Sequence, residues 1–278
     1  MSGPRRWRLT RPTLFVLWLL ASGLAVAESS DAVDPFADIA TAYLVQQNGL
    51  TRWQQSADRR LPPASLTKIM TALLVLERGG LDQVAVVGSA AVAETGTRVG
   101  LRFKDRLSVA DLLAASLIAS ANDACHALAD QVAGNEQAFV QQMNQRALAL
   151  GLADTHFANA CGHDAVGHYA SARDLAALTE QALTHTEFAR LVALPTLTIA
   201  VVNSGRKIVL QSSNALLGRY PGVIGVKTGY TPQGGKCLVA LAERDGQRVL
   251  LVLLNAPDRW WSASDVFDRA FAVATDAS

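Results

Sequence analysis

The sequence predicts an α+β fold: an antiparallel sheet that collects both ends of the chain, flanked by helices and carrying an inserted helical lobe. Three observations predict it. Residues alternate with strand period at 39–46 and 50–55, and again from 196 onward. Between them, apolar residues recur at helical spacing. Asn48-Gly49 and Asp245-Gly246, dipeptides suited to two-residue hairpin turns, join successive strands near the two ends. Strands at the ends with helices between them place the sheet lobe at about 38–88 and 190–278 and the helical lobe at about 89–189.

The elements follow in order. After the first hairpin, Pro62 and Pro63 exclude a helix, and "SLTKIMTALL" from Ser65 opens one whose apolar face is Leu66, Ile69, Met70, Leu73 and Leu74, ending near Gly79-Gly80. "DQVAVVGSAAVAETGTRVGLRF" at 82–103 reads as short strands and turns. Ser108 starts the apolar helix "SVADLLAASLIAS", with Asp111 three residues on in the manner of a capping box. Further helices fit 123–133, 135–150 (closed by Gly151) and 171–185. The strands "TLTIAVV", "RKIVLQ", "GVIGVKT", "GKCLVALAERDG" and "QRVLLVLLN" come next, and an amphipathic segment at 260–274 closes the chain.

The first residues have the order of an export signal: Arg5, Arg6, Arg8 and Arg11, then "TLFVLWLLASGLA", then the small-x-small site Ala25-Val26-Ala27. The apolar run is short against the roughly 20 residues a bilayer crossing needs, so cleavage after Ala27 is expected, leaving one catalytic-sized domain at 28–278 without a stable membrane anchor. Removing four arginines and no acid takes the formal charge from +1 to −3. No basic stripe remains, which excludes the usual electrostatic footprint of a nucleic-acid binder. "RVLLVLLNA" at 248–256 is too short to span a membrane and reads as a buried strand. Of the three cysteines, Cys125 reads as a small buried helix residue, leaving Cys161 and Cys237 as the possible disulfide pair of an exported protein.

Three short motifs carry chemistry. Ser65 and Lys68 stand one helical turn apart, where a capped helix start with an exposed lysine is one reading and a hydroxyl beside its own base is the other. A serine attacks slowly unless a base takes its proton, and a lysine whose pKa burial and neighbouring charge have lowered is such a base. Ser120 and Asn122, in "IASAND", follow an apolar helix, and Lys227-Thr228-Gly229, in "GVKTGYT", ends a strand. Singly these read as a helix-end cap and a blunted edge strand. In the order S-x-x-K, S-x-N, K-T-G, they are the set found in penicillin-binding proteins and class A β-lactamases.

The resemblance extends through "ASLTKIMTALLVLE", "LLAASLIASANDACHALAD", "FVQQMNQRALALGLADTHFANACGHDAVGHYASARDLA" and "GVIGVKTGYTPQGGKCLVALAERDGQRVLLVLLNA", about residues 38–272. These segments resemble the low-molecular-mass penicillin-binding proteins of the D-alanyl-D-alanine carboxypeptidase family. The resemblance implies a β-lactamase/transpeptidase-like fold. It also implies a serine peptidase that removes the terminal D-alanine of peptidoglycan stem peptides, needs no cofactor or metal, and is acylated by β-lactam antibiotics. By the same resemblance Ser65 is the nucleophile, Lys68 the general base, Ser120 the proton relay and Asn122 the group that orients lysine and substrate amide. Lys227 and Thr228 hold the terminal carboxylate beside Gly229, and the backbone N–H groups of Ser65 and Tyr230 form the oxyanion hole. His156, His163 and His168 lack tight metal-ligand spacing, and loop and capping roles are expected for them.

The family's larger members continue into a β-domain and a membrane-binding helix, whereas this sequence stops near "ATDAS"; short members include D,D-endopeptidases that cut cross-links with the same chemistry. A β-lactamase needs a glutamate-held water for deacylation, and Glu136, Glu180 and Glu187 stand outside the expected E-x-x-L-N setting. A non-catalytic peptidoglycan binder would need no complete Ser65, Lys68 and Ser120 set.

Overall fold

The computed structural model of the 278-residue chain describes residues 34–275 together with Met1 and Gly3, with side chains to Ala272. Those two positions aside, the export signal read at residues 1–27 lies outside the described residues.

Strands β1 (Ala42–Gln47) and β2 (Leu50–Gln55) form the expected hairpin, with Asn48 at φ +50° and Gly49 at φ +82° in the left-handed conformation that a two-residue turn requires. A 3-10 turn, Ala64–Thr67, leads into α1 (Lys68–Arg78), which ends at Gly79. Next come β3 (Val84–Val86), α2 (Ser89–Ala93) and β4 (Arg106–Ser108). The long helices are α3 (Val109–Ile118), α4 (Asn122–Ala133), α5 (Glu136–Ala149) and α6 (Ala172–Leu183), followed by α7 (Thr186–Val192). The Ser108 side chain accepts the Asp111 N–H at 3.0 Å, so the cap anticipated there forms. Strands β5 (Thr196–Ala200), β6 (Lys207–Gln211), β7 (Val223–Thr231), β8 (Gly235–Arg244) and β9 (Gln247–Leu254) precede α8 (Arg259–Thr275).

The main sheet is five-stranded and antiparallel in the order β2-β1-β9-β8-β7, so strands from both ends of the described chain meet at β1 and β9. Its side chains alternate between two cores. Val239, Leu241, Leu250, Val252 and Leu254 face α1 and the helices of residues 109–192, while Leu238, Ala240, Leu251 and Leu253 face α8 with Phe267 and Phe271. Burial on both faces explains why β9 reads as an unbroken apolar run instead of an alternating one. Two features escape the sequence reading. Helices α2 and α7 are short and fall where strands and turns or no element is expected. β5–β6 and β3–β4 pair only with each other, as separate two-stranded sheets.

The cysteine expectation is corrected. Cys125 and Cys161 form the disulfide, with Cα atoms 5.9 Å apart, and Cys237 is a free, buried thiol on β8. Cys125 is a small buried helix residue as read, but it lies in the second turn of α4, over which the 159–163 loop folds. Cys237 points its Sγ at the Gly234 carbonyl (3.4 Å), and burial raises its pKa to about 11, so it is a poor nucleophile. Alkylation in denaturant without reductant should therefore add a single group per chain, at Cys237, and with reductant three; intact-mass spectrometry reads the difference, and three without reductant would refute the pairing.

Candidate active site

The nucleophile sits on a turn held from several sides. Leu61 pairs with Ala170, and the two prolines carry the chain away from that bridge into the 3-10 turn, where Ala64 adopts φ +50°. His168 accepts the Ala158 N–H at Nδ1 (2.9 Å), which leaves Nε2–H to donate to Thr67 Oγ1 (2.8 Å); Thr67 in turn donates to the Ala64 carbonyl (2.8 Å). Burial first, and the neighbouring His156 second, lower the His168 pKa to about 4, so this ring is neutral near pH 7 and the chain of bonds keeps one direction. Two glycines allow close approach from outside. A Cβ at Gly162 (φ +91°) would lie 2.0 Å from the Ala64 carbonyl oxygen, and one at Gly229 would lie 3.1 Å from the Ser65 nitrogen. The glycine of K-T-G is thus the residue that lets β7 lie against the serine.

Ser65 makes no helix cap. Its Oγ instead stands 3.0 Å from Lys68 Nζ, as i,i+3 spacing allows. The Lys68 side chain is fully buried and also donates to Asn122 Oδ1 (2.7 Å) and the Cys161 carbonyl (2.6 Å). Burial pulls its pKa down to about 7, against a smaller upward pull from the Glu94 carboxylate. A neutral amine has two N–H donors and one lone pair. The two shorter contacts are with oxygens that only accept, so in the neutral state the lone pair falls to Ser65, which has a proton to give.

The second lysine lies at the edge strand. Lys227 Nζ, also buried, donates to Ser120 Oγ (2.8 Å) and the Thr228 carbonyl (2.9 Å). Ser120 holds its hydroxyl there from φ +59°, a strained conformation for a residue other than glycine. Thr228 Oγ1 is 2.6 Å from Ser213 Oγ, and Arg259 donates from Nη1 to the Gly229 carbonyl (2.6 Å). Burial, then Lys68, then Arg259 push the Lys227 pKa well below the lysine range. Burial acts first on Lys68, and the repulsion between the two lysines weighs on Lys227.

The structure brings together Ser65, Lys68 and Asn122, joins Ser120 to Lys227, and sets Gly229 against the Ser65 turn. Thr228 follows Lys227 on β7, and the Tyr230 side chain points to solvent, 64% exposed. Sequence reasoning missed Thr95 and Thr97, whose carbonyls accept the Asn122 Nδ2 (2.6 Å) and backbone N–H (2.8 Å), and Asp123, whose carboxylate binds the N–H groups of Val99, Gly100 and Leu101. It also missed Ser213 and Arg259. Thr95 and Thr97 act through backbone carbonyls, and Asp123, Ser213 and Arg259 are far in sequence from the groups they hold, so no spacing announces them. Glu136, Glu180 and Glu187 are occupied elsewhere, with the Ala160 N–H, Arg248 and Arg190 respectively.

Known proteins match this chain in sequence and in fold. The profile described as D-alanyl-D-alanine carboxypeptidase, peptidase S11, matches residues 37–258. The chain belongs to that family. It is 32% identical over 241 residues to D-alanyl-D-alanine carboxypeptidase DacF of Bacillus subtilis, covering 84% of this chain and 62% of the relative, so it spans about three fifths of that protein. It is 28% identical over 267 residues to the D-alanyl-D-alanine endopeptidase of Pseudomonas aeruginosa, covering 92% and 85%. The crystal structure of the Streptomyces K15 DD-transpeptidase superposes with a TM-score of 0.79 at 30% identity, covering 84% of this chain and 97% of that one. The family's fold is the antiparallel sheet with flanking helices seen here.

The tight glycine beside the nucleophile gives a stability test. Gly162→Ala should destabilise by about 2 kcal/mol or more beyond Gly151→Ala, because Gly151 shares the positive φ (+72°) but has open space around it. Urea unfolding of the two variants measures the difference.

Proposed function

We propose that this S11 family member is a serine D-Ala-D-Ala carboxypeptidase that trims the stem peptides of peptidoglycan through an acyl-enzyme on Ser65. The observation that carries the reading is the fully buried Lys68 amine, 3.0 Å from Ser65 Oγ and fixed by Asn122 and the Cys161 carbonyl. Lys68 takes the Ser65 proton as Oγ attacks the carbonyl between the last two D-alanines. The Ser65 and Tyr230 N–H groups receive the oxyanion. Breaking the C–N bond then requires a proton on the leaving amine, which Ser120 relays, and D-alanine departs. Water attacks the ester, with Lys68 again as base, and restores the hydroxyl.

Lys227 and Thr228 receive the terminal carboxylate beside Gly229. An arriving carboxylate favours the Lys227 ammonium, so substrate binding itself supplies the charge that the empty site disfavours. Asn122 orients both the lysine and the substrate amide. β-Lactams acylate Ser65 by the same attack, and with Glu136, Glu180 and Glu187 engaged by the Ala160 N–H, Arg248 and Arg190 instead of holding a deacylating water, the adduct is long-lived. Export follows from the N-terminal signal pattern, giving a periplasmic or secreted enzyme of cell-wall remodelling. Among the described residues no helix is long and apolar enough to cross a membrane.

A cross-link endopeptidase is the second reading, favoured by the similarity to the Pseudomonas aeruginosa enzyme over nine tenths of this chain. Incubation with a D-Ala-D-Ala pentapeptide and with cross-linked muropeptide dimers, followed by mass spectrometry, separates the two. Loss of one alanine with dimers intact is the expected result. Dimers falling to monomers with pentapeptide spared would transfer the protein to the endopeptidases. Ser65→Ala should lower either activity on the order of 10⁴-fold or more, and unchanged turnover would exclude the acyl-enzyme.

The pH dependence follows from Lys68. The base must be neutral, so kcat/KM should rise with pH through an apparent pKa near 7 and fall tenfold per unit well below it. A profile flat from pH 5 to 8 would remove Lys68 as the base.

A further inference from the structure

Beside the catalytic groups lies a cluster that the proposed mechanism does not use. Glu94 follows α2, His126 is on α4 and Glu136 opens α5; one ligand atom from each lies within 4.8 Å of the others. His126 Nδ1 is 2.7 Å from Glu94 Oε1 and 3.9 Å from Glu136 Oε2. We propose that Glu94, His126 and Glu136 form a binding site for one first-row divalent cation of the zinc type.

Three features argue for a cation. The donor set, one imidazole nitrogen and two carboxylates with a position left for water, suits zinc. Zinc bonds of about 2.0–2.1 Å put neighbouring donors about 3.3 Å apart, and the distances of 2.7 and 3.9 Å bracket that spacing.

The outer atoms of Glu94 and Glu136 are already hydrogen-bonded, as ligand-orienting groups require, and that of His126 faces a carboxylate. His163 Nε2 holds Glu94 Oε2 at 2.7 Å, the Ala160 N–H holds Glu136 Oε1 at 2.9 Å, and His126 Nε2 faces Asp130 Oδ1 at 3.6 Å.

Charge points the same way. Glu94, Asp130 and Glu136 converge on two imidazoles, and among the described residues none of the three has a lysine or arginine salt bridge. The Glu94 and His126 side chains are 12% and 10% exposed and Glu136 is 30% exposed, which gives a buried floor and an open entrance.

The position gives such a cation a structural consequence. Thr95, next to Glu94, accepts the Asn122 Nδ2 through its carbonyl, and Cys161, two residues before His163, accepts from Lys68. One ion would tie together the segments whose backbone oxygens hold the catalytic lysine and its asparagine. It would not touch the reacting atoms, and the inference stands independently of the substrate.

Isothermal titration of untagged, chelator-stripped protein with zinc chloride tests it, with melting temperature as a second readout. One saturable site per chain and a higher melting temperature are expected. Glu94→Gln and His126→Ala should each weaken binding by about tenfold or more, and His163→Ala by a similar factor through Glu94. Near-UV circular dichroism checks folding of each variant, and Glu136→Gln, at the open side, carries the test should His126→Ala fail to fold. No saturable binding up to about 1 mM zinc, far above the range of built sites, would overturn the proposal. So would an affinity unchanged in the folded variants.

Discussion

The site depends on keeping one amine dry. A charged lysine removed from water costs several kcal/mol, so a Lys68 with no exposed surface is near neutrality only because the fold around it is closed. Closure also fixes direction. Asn122 Oδ1 and the Cys161 carbonyl take the two protons a neutral amine can give, and what remains is a lone pair aimed at Ser65. A lysine on the solvent side of α1 would keep its proton near pH 7 and would have no fixed geometry. Burial therefore tunes the base and aims it in a single step.

Lys227 shows the same constraint with the opposite outcome. It is buried within range of Lys68, and two ammonium groups there repel each other as well as losing hydration. The pair accommodates one positive charge more readily than two. That arrangement suits a site whose proposed ligand is an anion: the carboxylate supplies what the second ammonium lacks. Edge strand β7 delivers Lys227 and Thr228 while Gly229 lets the strand backbone lie against the nucleophile turn. Three consecutive residues thus meet three demands: charge, a hydroxyl and absence of bulk.

Much of this was legible in the sequence because the informative residues are side chains at fixed spacing. The i,i+3 relation of Ser65 and Lys68, the hairpin dipeptides and the two-sided burial of β9 all leave periodic or local marks. What did not show has a common physical character. The acceptors of Lys68 and Asn122 are backbone carbonyls of Cys161, Thr95 and Thr97, and a carbonyl is the same in every residue. The disulfide eluded the reading because Cys125 is, as expected, a buried helix residue; nothing local shows that the 159–163 loop returns to it. His126 and His163 are far apart in sequence and meet only through Glu94, so no ligand spacing marked them.

Those carbonyls also explain why the region is so heavily cross-linked. Segments 95–97 and 159–163 are loops, and a loop holds a carbonyl to a fraction of an ångström only if it is tied down elsewhere. The ties are present on both. Asp123 binds three consecutive N–H groups of 99–101, the Cys125–Cys161 disulfide pins the second loop to α4, and Asn159 Oδ1 accepts the N–H groups of Gly162 and His163. Glu94 joins the two loops to each other through His163 and to α4 through His126. A base aimed by backbone oxygens transfers the demand for rigidity from the catalytic side chains to the loops behind them, and the fold meets it with covalent, hydrogen-bonded and ionic clips converging on α4.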